Sequence, residues 1–462
     1  MRRLFSAVVV VAIAALAMPH TASANRSQFM IFQASREVRS PDPVVRARAL
    51  DEIKALGVHW LRLVLYWQDV APDVDARSVP NFDERDPDAY PASRWALYDR
   101  ILADARKRDI RVLVTISGPG PRWATRSRKD RVTRPSPTRF GRFVTAVGRR
   151  YGDQVDYWSV WNEPNHPQFL APQYRHGRPY SPRLYRQLYR KARAGLDRSG
   201  NERDRVLMGE TAPRGNQNVV APLDFVRGSL CLTSTYRKRR GCRSLDVDGW
   251  AHHPYTTTSG PWFVSRNRDD VTIGSLSRLT RALDWARRAR AVRHRVDVYL
   301  TEFGVQSRPD PYAGVSEARQ AEYRSIGERI AYRNRRVRAF SQYLMRDDLP
   351  RPGRPYLRYS GFESGLRHSD GESKVAYDGF RLPLVAERGR RTHLWGLVRP
   401  ADGATSVRIE YRNRDSSKWR SLKRDRTNSR GYWSTTTAYR SGRVYRVRWG
   451  EFVGAPIRAY RR

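Results

Sequence analysis

Eight short runs of β-branched and aromatic residues recur between about residue 28 and residue 345, separated by longer stretches whose apolar residues return every three or four positions. The runs are residues 29–33, 59–65, 111–117, 155–161, 206–210, 247–252, 296–303 and 337–343. Few folds accommodate such alternation. Eight strands, each followed by a helix, predict an α/β chain closed into a (β/α)8 TIM barrel. A doubly wound open sheet would need a glycine-rich phosphate turn after the first strand, and that turn is missing.

The helical stretches carry their own punctuation. Over residues 181–196, Ser181 is expected to cap the helix and Pro182 to occupy its first position, with Leu184, Leu188, Ala192 and Leu196 on one face before Gly200. Ser136-Pro137 opens a similar helix bearing Phe140, Phe143, Val144 and Val147. Past residue 345 the pattern changes. Residues 349–371 are rich in Pro, Gly and Arg without periodicity, as in a long barrel-top loop before a last helix near residues 374–381. From residue 382 the chain reads as strand only. Val407, Ile409 and Tyr411 alternate with charged residues, and Tyr432-Trp433, Val444, Val447 and Trp449 lie in further strands. The expected organisation is a barrel over 25–381 and a small sandwich of immunoglobulin or fibronectin type over 382–462.

Residues 1–24 are read separately. Arg2 and Arg3 precede an apolar run from Leu4 to Met18, and Ala22-Ser23-Ala24 offers a small-x-small cleavage pattern. This is the form of a secretory signal peptide, with a retained N-terminal anchor as the alternative. The mature chain would start at Asn25 and work outside the cytoplasm, secreted and in contact with the cell wall. In that compartment Cys231 and Cys242 are expected to form a disulfide, two free thiols being the other case. Two cysteines are too few for a disulfide-dense scaffold or a four-cysteine zinc site.

The chain carries 88 Lys plus Arg against 46 Asp plus Glu, a formal charge of +42. Such a surplus first suggests nucleic acid. Only eight of these residues are Lys, however, and the Arg is spread along the whole chain, with no helix-turn-helix, zinc or RNA-binding pattern beside it. Solvated Arg, or attraction to an anionic polymer or cell surface, fits better, and nucleic acid is not expected as a partner.

Barrel chemistry sits where strands end and loops open onto a common bowl. The fourth run ends in Trp161-Asn162-Glu163-Pro164-Asn165 and the seventh in Thr301-Glu302-Phe303-Gly304. Two carboxyls facing each other across a barrel mouth are the minimum equipment for glycosidic hydrolysis: one protonates the leaving oxygen, and the other attacks the anomeric carbon or activates water. A separation of about 5 to 5.5 Å would select retention of configuration.

On these motifs the sequence resembles glycoside hydrolase clan A, the (β/α)8 hydrolases that include families 5 and 39. The resemblance spans roughly residues 28–380. It implies Glu163 of Asn162-Glu163-Pro164 as general acid/base and Glu302 as nucleophile in a double displacement on an O-glycosyl compound. It also implies Arg62 as the cation that keeps the nucleophile ionised, and a His or Tyr touching that nucleophile from His252-His253-Pro254-Tyr255. Between His253 and Tyr255 the roles stay open. Asn162 is expected to donate to the sugar 2-hydroxyl. Glu210, in Gly209-Glu210-Thr211, is a third rim carboxylate that either binds substrate hydroxyls or forms a structural ion pair. Trp67, Trp123, Phe169 and Trp262 follow strands two, three, four and six and are candidate sugar platforms. Many clan members end strand eight with Trp; here the stretch is Phe340-Ser341-Gln342-Tyr343-Leu344, so Tyr343 or a residue from elsewhere would floor the subsite.

No cofactor or metal is required by this chemistry, and strand one offers Gln33 where a metal-dependent barrel hydrolase would carry His-x-His. The expected partner is a poly- or oligosaccharide, with anionic polymers included, and the expected state is a monomer without a transmembrane segment. The competing reading is a non-catalytic carbohydrate-binding protein on the same barrel, held at an anionic cell surface. Loss of either Glu would mark it, and both are present.

Overall fold

The computed structural model describes residues 28–461 except 156, 354–356 and 360, so the expected signal peptide lies outside the described residues. Eight parallel strands close a barrel: β1 (Phe29–Gln33), β2 (Trp60–Tyr66), β3 (Arg111–Ser117), β4 (Tyr157–Val160), β5 (Arg205–Thr211), β6 (Gly249–His252), β7 (Val298–Leu300) and β8 (Val337–Tyr343). β1 pairs with β8 as well as with β2, which completes the ring. Each strand is followed by a helix: α1 (Pro43–Ala55), α2 (Ala92–Arg106), α3 (Pro137–Tyr151), α4 (Ser181–Arg198), α5 (Pro222–Ser229), α6 (Leu276–Arg288), α7 (Glu317–Arg333) and α8 (Val375–Arg381).

Ser136 caps α3 as expected, its side chain accepting from the Arg139 N–H. Ser181 does not cap α4. It is already helical, with Tyr180 at the cap position, and its hydroxyl donates to Gln173 Oε1 at 2.8 Å. Gln173, buried under the loop after β4, outcompetes the local cap.

Inside the barrel the strand period of two sorts apolar from polar residues. Ile31, Trp60, Leu113, Leu207, Ala251, Tyr299 and Ala339 form a packed layer, closed by Phe29 and Tyr157. Two residues further along the chain stand Gln33, Arg62, Thr115, Ser159, His253, Thr301 and Ser341, all buried. The lower barrel is thus an apolar plug and the upper barrel a polar layer, in which Gln33, Arg62 and Thr115 hydrogen-bond one another while the Ser159, Thr301 and Ser341 hydroxyls have no partner among the described residues. At β5 the alternation breaks: its register with β6 shifts between Gly209 and Thr211, and Gly209 and Glu210 take positive φ values of 118° and 48°. This bulge turns Glu210 into the barrel.

Beyond α8 the chain forms two antiparallel sheets. One contains β9 (Leu384–Arg388), β10 (Arg391–Leu397) and β13 (Tyr432–Ala438); the other is built from β11 (Ser406–Arg412), β12 (Arg420–Arg426), β14 (Val444–Trp449), β15 (Phe452–Val453) and β16 (Ile457–Arg458). Trp433, Val407, Ile409, Tyr445 and Val447 fill the space between them, so Trp433 serves a core. The sheets dock on the barrel through α7, whose Ile326 and Tyr332 cluster with Val385 and Trp395. Beneath this contact Glu328 lies between Arg324 and Arg399, all three buried. Cys231 and Cys242 are joined by a disulfide, as expected, in the segment between α5 and β6. Among the described residues no helix is long and apolar enough to cross a membrane.

Candidate active site

Arg62 organises the barrel mouth. Its inward position follows from Trp60 two residues earlier, and its side chain has no solvent exposure. The guanidinium donates to Glu302 Oε1 at 2.5 Å, Gln33 Oε1 at 2.5 Å, Asn162 Oδ1 at 2.8 Å and Thr115 Oγ1 at 3.2 Å. It also pairs with both oxygens of Glu210. One buried cation therefore fixes two carboxylates and two amides. The expected place of Arg62 among substrate-contacting residues is not where the structure puts it: the guanidinium is removed from solvent and meets only these neighbours.

Glu302 lies just past β7, with Phe303 beneath it against Phe340 at 5.0 Å. Its second oxygen accepts from the Tyr255 hydroxyl at 2.9 Å and lies 3.5 Å from His253 Nδ1. Burial pushes the Glu302 pKa up, but His253, Arg62 and the Tyr255 hydroxyl outweigh it and hold the carboxyl below its ordinary range. Glu302 is kept as an anion.

Glu163 follows β4 on a strained backbone. Trp161 and Glu163 have φ values of 67° and 38°, a region few side chains occupy. The surroundings enforce it. Trp161 is buried and donates from Nε1 to the Phe169 carbonyl, the Asn162 N–H donates to Ser117 Oγ at 2.9 Å, and the Glu163 N–H donates to the Glu210 carbonyl at 3.1 Å. Gly118 makes room for the Trp161 ring, since a Cβ there would lie 2.3 Å from it. With Oδ1 of Asn162 held by Arg62, its Nδ2 donors are left for a ligand.

His253 bridges the site. Its Nδ1 is 2.9 Å from Glu163 Oε1, and its Nε2 lies 3.8 Å from Glu210 Oε2. Burial disfavours the imidazolium, yet Glu302 and Glu163 together raise the His253 pKa above its ordinary value. The open assignment thus resolves geometrically: Tyr255 hydrogen-bonds Glu302, and His253 hydrogen-bonds Glu163. Neighbouring His252 is different. Held between Thr211 Oγ1 and the Val271 carbonyl, both at 2.8 Å, it is depressed by burial to about 3 and stays neutral.

One oxygen each of Glu163 and Glu302 and one His253 nitrogen all lie within 4.8 Å of one another. Three such atoms are also a ligand-sized set, but an ion there would sit beside the Arg62 guanidinium. The carboxylate gap is well below the ~6.5 Å at which a water fits between two catalytic carboxyls.

Other sequence candidates separate cleanly. Glu210 has no exposed side-chain surface and accepts from Arg62 and Thr115, so it is the structural ion pair and not a substrate ligand. Trp67 and Trp123 are 0% and 2% exposed and pack with Phe140, Phe143 and Phe82, so neither is a sugar platform. The loops after β2 and β3 fold inward over them. Trp262 packs on Tyr323 and Tyr460. Tyr343 does reach the mouth, 6.2 Å from the Tyr255 ring. The sequence reading missed Phe362, 38% exposed and 5.0 Å from the Tyr343 ring. Asp348 pins it there, accepting from the Phe362 N–H and donating its own N–H to the Phe362 carbonyl. An aromatic in an aperiodic loop gives no sequence signal of where it lands.

The molecule is thus a (β/α)8 barrel whose mouth holds two unlike glutamates, carried on a chain with a C-terminal pair of antiparallel sheets. No family model matches the chain, and no curated protein matches it in sequence. Solved structures do. A family 39 glycoside hydrolase from Bacteroides cellulosilyticus WH2 superposes with a TM-score of 0.51 at 15% identity, over 90% of this chain and 80% of that chain. A glucosidase from Croceicoccus marinus gives 0.52 at 12%, over 92% and 95% of the two chains. A GH5_18 protein from Streptomyces cattleya, solved in complex with GlcNAc, gives 0.52 at 15%, over 78% and 79%. The shared property at these identities is the fold, and it is the fold that the resemblance to clan A implies.

Proposed function

We propose that this protein is a secreted retaining glycoside hydrolase, with Glu302 as nucleophile and Glu163 as general acid/base. The observation that carries the reading is the pair of facing carboxyls within 4.8 Å, one locked by cationic and hydroxyl donors and the other left more open. Attack by Glu302 on the anomeric carbon forms a glycosyl-enzyme ester as Glu163 protonates the departing oxygen; Glu163 then takes a proton from the water that cleaves the ester. The contacts support these roles: Glu302 accepts from the Arg62 guanidinium and the Tyr255 hydroxyl, whereas Glu163 hydrogen-bonds the His253 imidazole. Asn162 Nδ2 is assigned to the 2-hydroxyl, and Tyr343 with Phe362 to the sugar face.

The same proposal divides the chain into a signal peptide over 1–24, a catalytic barrel over 25–381 and a β-module over 382–462. The Cys231–Cys242 disulfide suits an oxidising compartment. The test is a panel of neutral and acidic polysaccharides and aryl glycosides, with product stereochemistry read by NMR. Retention of configuration, lost in Glu302→Gln, is expected. Hydrolysis that survives Glu163→Ala combined with Glu302→Gln would refute the mechanism. Binding without cleavage of any glycoside would favour the carbohydrate-binding alternative.

A further inference from the structure

We propose that the outward face of the larger C-terminal sheet binds a carboxylated polysaccharide, independently of the chemistry at the barrel mouth. The inference rests on strand register. Arg408 on β11 stands directly opposite Arg424 on β12 and Arg448 on β14. Three arginines therefore form one row across three neighbouring strands, spaced by about 4.8 Å per strand. Alternation fixes the side: Val407 and Ile409 are buried between the sheets, so Arg408 points outward. Arg426 extends the row along β12, opposite Ser406. At its edge Arg446 and Arg412 lie over the Trp419 ring, at 4.0 and 5.4 Å.

Like charges directly opposite one another destabilise a sheet. Among the described residues no carboxylate pairs with Arg408, Arg424 or Arg448, and the nearby Glu410 is already engaged by Arg446 at 2.7 Å. This differs from the barrel, where arginines such as Arg46, Arg193 and Arg227 each meet an aspartate. A row that weakens its own sheet and lacks an internal counterion is suited to an external anion.

The geometry selects the class. Planar guanidiniums repeated from strand to strand, exposed at Arg408 and Arg424 and half-buried at Arg448, match carboxylates repeated along an extended chain, each able to accept two parallel hydrogen bonds. Sequence-specific readout of duplex DNA needs side chains that reach base edges within a groove, whereas this row offers cations alone. Single strands require open aromatic platforms, whereas Trp419 is overlaid by Arg446.

The test uses the full chain and polygalacturonate as the probe. Arg408→Thr, Arg424→Thr and Arg448→Thr combined should weaken binding about tenfold at low ionic strength, the size expected of three exposed ion pairs. Its salt dependence should become shallower. Turnover of a small aryl glycoside should not change, and the melting temperature should hold or rise as repulsion is relieved, so a lost site is distinguishable from a lost fold. A control with equal charge loss, Arg203→Thr, Arg281→Thr and Arg287→Thr on exposed barrel positions, should keep its affinity. Equal weakening in both triples would overturn the proposal in favour of diffuse attraction. Tighter binding of single-stranded DNA than of polygalacturonate, lost in the first triple, would overturn it in favour of nucleic acid.

Discussion

Replacing Tyr255 with Phe isolates one hydrogen bond of the paired-carboxylate site. The hydroxyl donates to Glu302 Oε2 at 2.9 Å, while the ring rests against Tyr343 and Phe362 at 6.2 and 6.0 Å, contacts that Phe keeps. A hydrogen bond to a charged group contributes roughly 1.5–3 kcal/mol, and about 1.4 kcal/mol corresponds to one pKa unit. Burial already pushes Glu302 upward, so loss of this donor lets its pKa climb by about one to two units, with His253 and Arg62 still opposing. The sign follows from the role. A nucleophile must be ionised, so the acid limb of kcat/KM moves toward neutral pH by that amount while the alkaline limb stays. The assay is a pH–rate profile on an aryl glycoside, paired with 13C NMR titration of labelled Glu carboxyls against a Glu302→Gln reference. If the limb and the titration both stay within about 0.3 units of wild type in a protein of unchanged melting temperature, Tyr255 does not set the ionisation of Glu302.

Trp123→Ala should cost about 3–5 kcal/mol in denaturant unfolding and leave KM unchanged, because the ring is core; a raised KM at unchanged stability would restore it as a sugar platform. Phe362→Ala removes an exposed aromatic face, and a loss of ~1 kcal/mol of apolar contact gives a KM about fivefold higher with kcat little altered. Glu363 is raised to about 7 by burial and by Asp347, Asp310 and Asp348. A folded pKa above the unfolded one means that stability is full below about pH 4.5 and is lost as pH rises toward 7. Glu363→Gln should therefore melt higher than wild type at pH 8 and equally at pH 4; identical curves at both values would exclude this account.

Much of the scaffold was legible in the sequence because burial on both faces demands continuous apolar runs, and β1 to β8 each supply one. Glu163 and Glu302 were legible because each carboxylate interrupts the chain where a strand ends. Arg62 could be placed by parity with Trp60. What eluded the sequence lies past the strand ends or at a bulge, where period two no longer constrains direction. Trp67 and Trp123 follow strands just as platform residues would, yet tertiary packing pulls them under the loops. Glu210 sits at a bulge, and one inserted residue exchanges rim for interior. Phe362 is delivered by a loop held by Asp348, a contact of which residues 349–371 carry no periodic trace.

Helix α7 belongs to two cores at once. Its inner side closes the barrel, and its outer side supplies Ile326 and Tyr332 to the cluster with Val385 and Trp395, above the buried Glu328 that Arg324 and Arg399 share. The β-module is therefore a wall of the barrel and not a passenger. Truncation at residue 381 would strip Arg399 from a carboxylate it neutralises and bare an apolar stripe, so a shortened chain would report on its own damage before it reported on binding. Transplanting a module from a distant relative would meet the same obstacle, since the helix and the sheet have to change together.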